Sequence, residues 1–554
     1  MLQADTPVPT PTTTLQTALF LALLALPQLA VGQSPSGTSL EHRESETLVK
    51  LAENFAGPKT YENCHAYGAS TVGLVAQLEL DERGVSQGRP PEAAEADIAH
   101  MAAEGRRLAG APQSPCTWQN AASPGAMLGV VSLGIILQRY HDELSEETTR
   151  ALKRAARGRW KEQIGTQLGD GNAAVVAGKL LAEEATGGRT EAWKEASRQL
   201  SRIHDSVIER GGGVMNAPIF TGYQFAALLP LLESRHGSIR RTARQLVDYL
   251  FVVQAHLYLP GGGLGAPQSR DYAGGALDAP PTSLHRLIWH YTGDKPWRPT
   301  GNIQLLGAAV DYQLPAAIRS IFLDKGAGYD FTARTPAPAA IQTGRGYTVD
   351  GLSGQVLPWR AVVTPDAMFG LSHAGPFESR HVSMGVYART SPGTFPILYQ
   401  YEPYLDGDTT RKGQALPDGA GDSEADDFTR ELYDYRRMVR HRALITLWDP
   451  RESSKSPEAT RQAEDTRVHI PDWSAYGGKT RHRDTGGWYV GKAGDSYVAY
   501  HPLGQVAEGP ARRSSFKRPG GGTRASEHFY LRLNGRSGGV VELATTDQFP
   551  TIDD

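Results

Sequence analysis

The 554-residue chain has two cysteines, Cys64 and Cys116. That scarcity excludes a disulfide-built scaffold and any cysteine-rich zinc module. There is no H-E-x-x-H, no C-x-x-C and no Walker A stretch, so helix-borne zinc proteases, thioredoxin-like redox centres and P-loop nucleotide hydrolases are set aside. The run G-G-G-L-G-A from Gly261 follows a helical pattern rather than a strand, so it is not a dinucleotide fingerprint. No G-x-S-x-G nucleophile elbow stands out. A basic excess is also missing: 57 Lys and Arg face 60 Asp and Glu, and a net charge of -3 gives no footprint for a nucleic-acid partner.

What is present starts with an apolar run, Leu15 to Val31, followed by G-Q-S-P-S-G. This is the pattern of a secretory signal peptide, although the residues before it carry no Lys or Arg. Pro27 and the short length argue against a stable membrane span. Residues 1–33 are therefore read as a signal peptide and the protein as secreted or periplasmic. In an oxidising compartment Cys64 and Cys116, both in polar turn-rich surroundings, are candidates for one disulfide, with two unpaired thiols as the alternative.

Residues 34–328 have helical periodicity. Helices are expected over Leu40–Phe55, Glu92–Leu108, Ala126–Leu144, a Ser145-capped segment, Asn172–Glu184, Glu191–Glu209, Tyr223–Glu233, Ile239–Ala255, Ser283–Tyr291 and Ala308–Phe322. Residues 329–350 include T-A-R-T-P-A-P-A-A and read as a linker. From 351 to 554 short period-two runs such as H-V-S-M-G-V-Y-A-R, R-A-L-I-T-L-W-D and H-F-Y-L-R-L dominate, the signature of antiparallel strands in a β-sandwich. A block of helices followed by a block of strands means separate α and β domains. Within the strand part D-G-A-G-D-S-E-A-D-D and R-E-S-S-K-S-P-E-A-T-R read as solvated insertions.

Chemistry-bearing residues gather between Asn216 and Tyr272. N-A-P-I-F-T-G-Y opens one helix and carries Asn216, Phe220 and Tyr223; A-H-L-Y-L-P-G-G-G closes the next and carries His256 and Tyr258; S-R-D-Y carries Arg270 and Tyr272. Upstream, G-D-G-N-A-A-V-V-A-G-K-L-L-A-E-E places Asn172 at a helix start. Each has an ordinary structural alternative: helix cap for Asn172, turn former for Asn216, core aromatic for Tyr223, dipole partner for His256, surface ion pair for Arg270.

With these motifs and the helix-then-strand order, the chain resembles the (α/α)-toroid polysaccharide lyases and their heparinase II/III-like relatives. G-D-G-N-A-A is similar to the family's helix that opens on Asn-His, with Asn172 in the Asn place and Ala173 where His is often found. A-P-I-F-T-G-Y is similar to a Ser-Pro-x-Tyr opening, with Ala217 and Phe220 in the Ser and Tyr places and Tyr223 as the nearest phenol. S-R-D-Y matches an Arg-x-Tyr after the following helix. The resemblance implies an N-terminal toroid of helical hairpins, an antiparallel β-sandwich, and β-elimination on a uronic-acid-containing glycan without a cofactor or metal.

Elimination needs donors that neutralise the uronate carboxylate as enolate charge develops, a base for the C5 proton and an acid for the leaving oxygen. Asn donates without titrating and Arg offers a planar fork to a carboxylate. The expected roles are Asn172 and Arg270 on the carboxylate, Tyr272 or Tyr223 as proton-transfer phenol, and His256 as second base or positioner. Asn216, Tyr258, His373 and His381 are expected to contact substrate, an acidic polysaccharide or oligosaccharide. Two alternatives stand beside this: a non-catalytic glycan-binding or envelope protein on the same fold, and an (α/α)-toroid glycoside hydrolase, which would need a pair of carboxylates across the sugar.

Overall fold

The computed structural model describes residues 39–549, apart from internal segments of which the longest are 111–123, 157–169, 266–282, 373–383, 402–432 and 451–464. The expected signal segment lies outside the described residues. The first half is helical: α1 (Leu40–Ala52), α2 (Cys64–Glu82), α3 (Pro91–Gly110), α4 (Pro124–Tyr140), α5 (Glu146–Ala156), α6 (Asp170–Ala185), α7 (Glu191–Arg210), α8 (Phe220–Leu228), α9 (Gly237–Leu257), α10 (Ser283–Thr292) and α11 (Ala316–Leu323). Caps fix several of these. Ser39 Oγ accepts the His42 amide at 3.2 Å and Thr190 Oγ1 the Trp193 amide at 3.1 Å, each satisfying an otherwise unpaired first-turn donor. Gly211, at φ 88°, stops α7 in the left-handed region that favours glycine.

Two sequence expectations change here. Residues 64–82 form a helix of 19 residues where a polar loop around Cys64 was expected. Its apolar and small residues run round all faces, so the one-sided stripe that marks a surface helix is missing. The expected helix over Ala308–Phe322 is instead a 3-10 segment, Ile303–Ala309, followed after Pro315 by α11; proline removes the donor a continuous helix would need.

Helices α2, α4 and α6 lie side by side and run the same way. Tyr67 and Thr71 near the start of α2 meet Gly129 near the start of α4, and the Glu79 carboxylate near the end of α2 meets Arg139 near the end of α4. Val130 faces Gly178 of α6, and Gly134, one turn on, faces Leu181. α8 continues the row, since Arg139 also pairs with Glu233 just beyond it and Glu184 of α6 accepts from Ser234 Oγ at 2.6 Å. The helices between them in sequence pack outside: α3 on α5, α7 on α6 and α9, α9 on α11. α1 and the 303–309 segment lie against α2 and α10. One buried apolar cluster, from Leu48 to Phe322, fills this half.

The second half is strands. β1 (Tyr258–Leu259) and β2 (Gly263–Leu264) form a small hairpin still within the helical half. Then come β3 (Tyr329–Pro336), the β4–β5 pair (Ile341–Gln342, Thr348–Val349), β6 (Val356–Val363), β7 (Ala367–Ser372), β8 (Met384–Ala388), β9 (Ile397–Tyr401), β10 (Tyr433–Arg440), β11 (Ala443–Pro450), β12 (Asp465–Pro471), β13 (Lys479–Arg481), β14 (Tyr489–Ala493), β15 (Ser496–Glu508), β16 (Arg512–Lys517) and β17 (Thr523–Thr545). Thirteen of them make one antiparallel network with the path β13-β14-β15-β17-β12-β9-β8-β7-β6-β3. Along its 23 residues β17 changes neighbour, from β12 over 528–534 to β11 over 537–542. A second buried cluster, from Val362 to Leu543, belongs to this half alone. The segment expected as linker is partly strand: β3 pairs residue for residue with β6, Tyr329 opposite Val363 through Pro336 opposite Val356. It is an edge strand, where proline is tolerated, and so its Pro and Ala content reads as a linker in sequence.

Candidate functional site at the start of the parallel helices

Because α2, α4, α6 and α8 run together, their first turns gather at one end of the helical half. α9 runs back antiparallel to α8, with Phe251 against Phe225 at 4.3 Å between ring centroids. Its last turn, and the β1–β2 hairpin that follows, therefore return to the same end. α7 finishes there too, its Gly212 amide donating to Tyr249 Oη at 3.0 Å. The sheet half covers part of this rim. Phe331 of β3 stacks on His256 at 4.0 Å, Tyr329 meets the same ring edge-on at 5.1 Å, and the Arg334 carbonyl lies against Gly211, where a Cβ would come within 1.8 Å of it. Helix starts carry unpaired N–H groups and the positive end of the helix dipole, which favours a carboxylate or other anion.

Asn172 sits in the first turn of α6, half-buried, at this rim. Tyr223 sits in the first turn of α8 and is 5% exposed, packed in the helical core. His256 is in the last turn of α9. So three of the five residues expected to be catalytic come to the same end of the molecule. Arg270, Tyr272, Asn216, His373, His381 and Cys116 lie outside the described residues. Cys64 begins α2, and its side chain also lies outside them. Tyr258, expected to touch substrate, is fully buried, and its hydroxyl donates to Asp294 Oδ2 at 2.6 Å. The same oxygen accepts the Gly261 amide at 2.6 Å. Tyr258 thus ties the β1–β2 hairpin to the end of α10, with its polar atom committed inside the protein; this corrects the expected substrate contact.

His256 is held neutral. Burial, then the nearby Lys325 ammonium, lower its pKa to about 4, and its Nδ1 has no hydrogen-bond partner. An imidazolium complementing the helix dipole, the structural alternative from sequence, therefore gives way to an uncharged ring stacked between domains. The C-terminal carbonyls of this corner are capped by Lys325 instead. Its ammonium donates to Ala255 O at 2.7 Å and to Ile321 O, ending α9 and α11 together. Burial brings the Lys325 pKa down to about 7 against the opposing pull of Asp294 and Asp324. Sequence reading missed Lys325, Asp294, Asp366 and Arg389. Each works through a partner far along the chain, which no local spacing announces.

Among the described residues no group of three or more His, Cys, Asp or Glu side chains gathers as a metal centre would need, and no helix is long and apolar enough to cross a membrane. No family model and no curated protein matches the sequence. Solved structures that match include heparinase III, at TM-score 0.33 and 7% identity over 96% of this chain and 90% of that one. The heparan sulfate lyase HepC from Pedobacter heparinus matches at 0.30 and 10% over 98% and 84%. The GH127 beta-arabinofuranosidase BT3674 matches at 0.31 and 9% over 94% and 96%. These are distant likenesses.

Proposed function

We propose that this protein is an exported polysaccharide lyase that cleaves a uronic-acid-containing glycan by β-elimination, on an (α/α) toroid of helical hairpins followed by a β-sandwich. What supports the reading is that Asn172 and Tyr223 stand in the first turns of α6 and α8 and His256 in the last turn of α9, elements that start or end at the rim over which β3 lies. The helix starts suit an anionic sugar, Asn172 supplies a non-titrating donor at one of them, and His256, a neutral ring stacked on Phe331 with its pKa brought down to about 4, fits the positioner's role better than the base's. In this reading Arg270 joins Asn172 on the carboxylate and Tyr272 or Tyr223 carries the proton. Burial of Tyr223 favours Tyr272 as the phenol that meets substrate.

One observation favours the non-catalytic alternative. Ala173, in the place where the resembled helix often has His, is 1% exposed and packs in the helical core. An imidazole for the reaction must then come from elsewhere in the chain.

The test is ultraviolet detection of unsaturated uronate with the purified protein on alginate, glucuronan, hyaluronan, heparan, chondroitin and pectate. The expected result is product from one of these, reduced by ~10²-fold or more in Tyr272→Phe and Arg270→Ala. Binding without product supports the non-catalytic protein. New reducing ends without unsaturation support hydrolysis.

A further inference from the structure

The β1–β2 hairpin is gripped from both sides. On the helical side Asp294 Oδ2 accepts from Tyr258 Oη and from the Gly261 amide, and the Gly265 amide closes back on Leu257 O at 2.7 Å. On the sheet side Arg389, just after β8, donates from Nη1 to Pro260 O at 2.8 Å. The other arm of the same guanidinium holds Asp366, in the turn between β6 and β7, through Nε at 3.0 Å and through Nη2. The second Asp366 oxygen accepts the Asp495 amide at 2.9 Å, in the turn between β14 and β15. Thr364 and Ser496 hydroxyls join the same two turns at 3.0 Å. Asp366 is buried, and its two carboxylate oxygens are filled by partners from two other parts of the sheet domain, Arg389 and the Asp495 amide.

The apolar side of the contact is equally close. Met368 of β7 presses on Gly265, where a Cβ would lie 2.0 Å from its Sδ. Gly494 has φ 55° and faces Asp366, with room for no side chain. Three sheet turns are thus shaped around one carboxylate, and the guanidinium it orients reaches out of the sheet domain to a carbonyl of the helical one. An arginine that served only its own domain would have no reason to spend one arm on Pro260.

We propose that the β1–β2 hairpin is a docking strap between the two domains, clamped by the Asp366-oriented Arg389, and that this clamp sets how the sheet domain sits over the helix-start rim. Other contacts at the rim, among them His256 on Phe331 and Tyr329 and Gly211 on the Arg334 carbonyl, are packing contacts on the edge strand β3. The clamp is the charge-assisted hydrogen bond of the junction, and such bonds fix geometry more strongly than neutral ones. This inference stands whether or not the protein is a lyase.

The experiment is hydrogen exchange of the full chain, read on the peptide covering 257–265, with small-angle scattering on the same samples. In Arg389→Met the exchange of this peptide is expected to rise at least tenfold over wild type, with an increased radius of gyration. Arg389→Lys, which keeps the charge without the fork, is expected to fall between. Gly265→Ala attacks the strap from the other face and is expected to give the same rise, and Met368→Ala in the same chain to reverse it by making room. Peptides in α4 and β15 serve as the folding control. Unchanged exchange at 257–265 in a folded Arg389→Met protein overturns the proposal. So does a Gly265→Ala effect that Met368→Ala leaves untouched. Should Arg389→Met fail to fold, the Gly265 and Met368 pair decides alone.

Discussion

At the scale of single residues, burial of ionisable groups gives this protein a definite pH response. His290 shows how the neutral state is held. Thr47 Oγ1 gives its proton to Arg43 O at 2.7 Å, so at 3.2 Å from His290 Nδ1 it is the acceptor and the ring carries its proton on Nδ1. Nε2 then faces the core without a partner, and burial, followed by the charges of Arg43 and Arg83, brings the pKa to about 3. Burial likewise brings His285 to about 3, against its hydrogen bond with the Gly262 backbone, and His256 to about 4. Unfolded histidines take up a proton near pH 6.5, so below that pH the unfolded chain binds protons that the native one refuses. Stability is therefore full above about pH 6.5 and falls as the pH drops towards 3, by about 1.4 kcal/mol per pH unit for each such histidine. Denaturant melts between pH 4 and 6 should show this slope, and His256→Phe should lower it by about one proton.

Lys325 acts at the other end of the scale. Its folded pKa of about 7 lies below the unfolded value, so its cost is complete below pH 7 and is relieved as the pH rises towards 10. Wild type should gain stability between pH 7 and 10, and Lys325→Met should lack that gain. None of this was legible in sequence. His256 was readable as a helix-end residue, but its neutrality depends on a strand, β3, that arrives more than seventy residues later and reads as linker.

At the scale of elements, the parallel row depends on close helix contact at one face and charge at the far end. Gly178 is the sharpest case of the first, since a Cβ there would lie 2.4 Å from Val130 Cγ1. Gly178→Ala should destabilise by about 1–3 kcal/mol, because a packed core answers extra volume with backbone shift, and a thermal melt would read it. At the far end Arg139 pairs with Glu79, with both oxygens of Glu233 and with Ala309 O, joining α2, α4, the 3-10 turn after α8 and the 303–309 segment. Carboxylates at helix ends are otherwise unfavourable with the dipole, and here one guanidinium neutralises two of them. Arg139→Met should cost about 1–3 kcal/mol by leaving Glu233 without its partner, while Glu79 keeps Arg83, whose Nε donates to it at 2.9 Å; Glu79→Gln should cost less, since it removes charge rather than stranding it. Helix positions were largely readable, since α3, α5, α7 and α9 carry one-sided patterns and α6 and α7 have polar starts. α2 escaped because it is buried all round, so it has no stripe, and because the small and polar residues of its first turns, C-H-A-Y-G-A-S-T, break the continuous apolar run by which α4 can be read.

At the scale of the whole molecule, the change from 3.6-residue to two-residue period announced the change of domain, and the structure gives each half a buried cluster of its own, ending at Phe322 and beginning at Val362. The sequence reading ends the helical part at 328 and begins the strands only at 351. β3 belongs by hydrogen bonding to the sheet half, while Lys325, four residues earlier, belongs to the helical half by capping α9 and α11. The junction thus falls between Lys325 and Tyr329, where Gly326 and Gly328 have φ of 51° and 89°. A Cβ on Gly328 would sit 2.5 Å from Val363 O, so this turn is fixed by the sheet edge it meets. We propose that residues 39–328 form an independently folding unit. Expressed alone, that fragment should give helical circular dichroism and a cooperative melt, with a lower midpoint than the full chain because His256, Gly211 and the β1–β2 hairpin lose their cover. Extending it to 336 should not restore the midpoint, because β3 without β6 has no partner. A fragment without cooperative unfolding would instead mean that the sheet domain completes the helical core, and that the two clusters, though separate in space, fold as one.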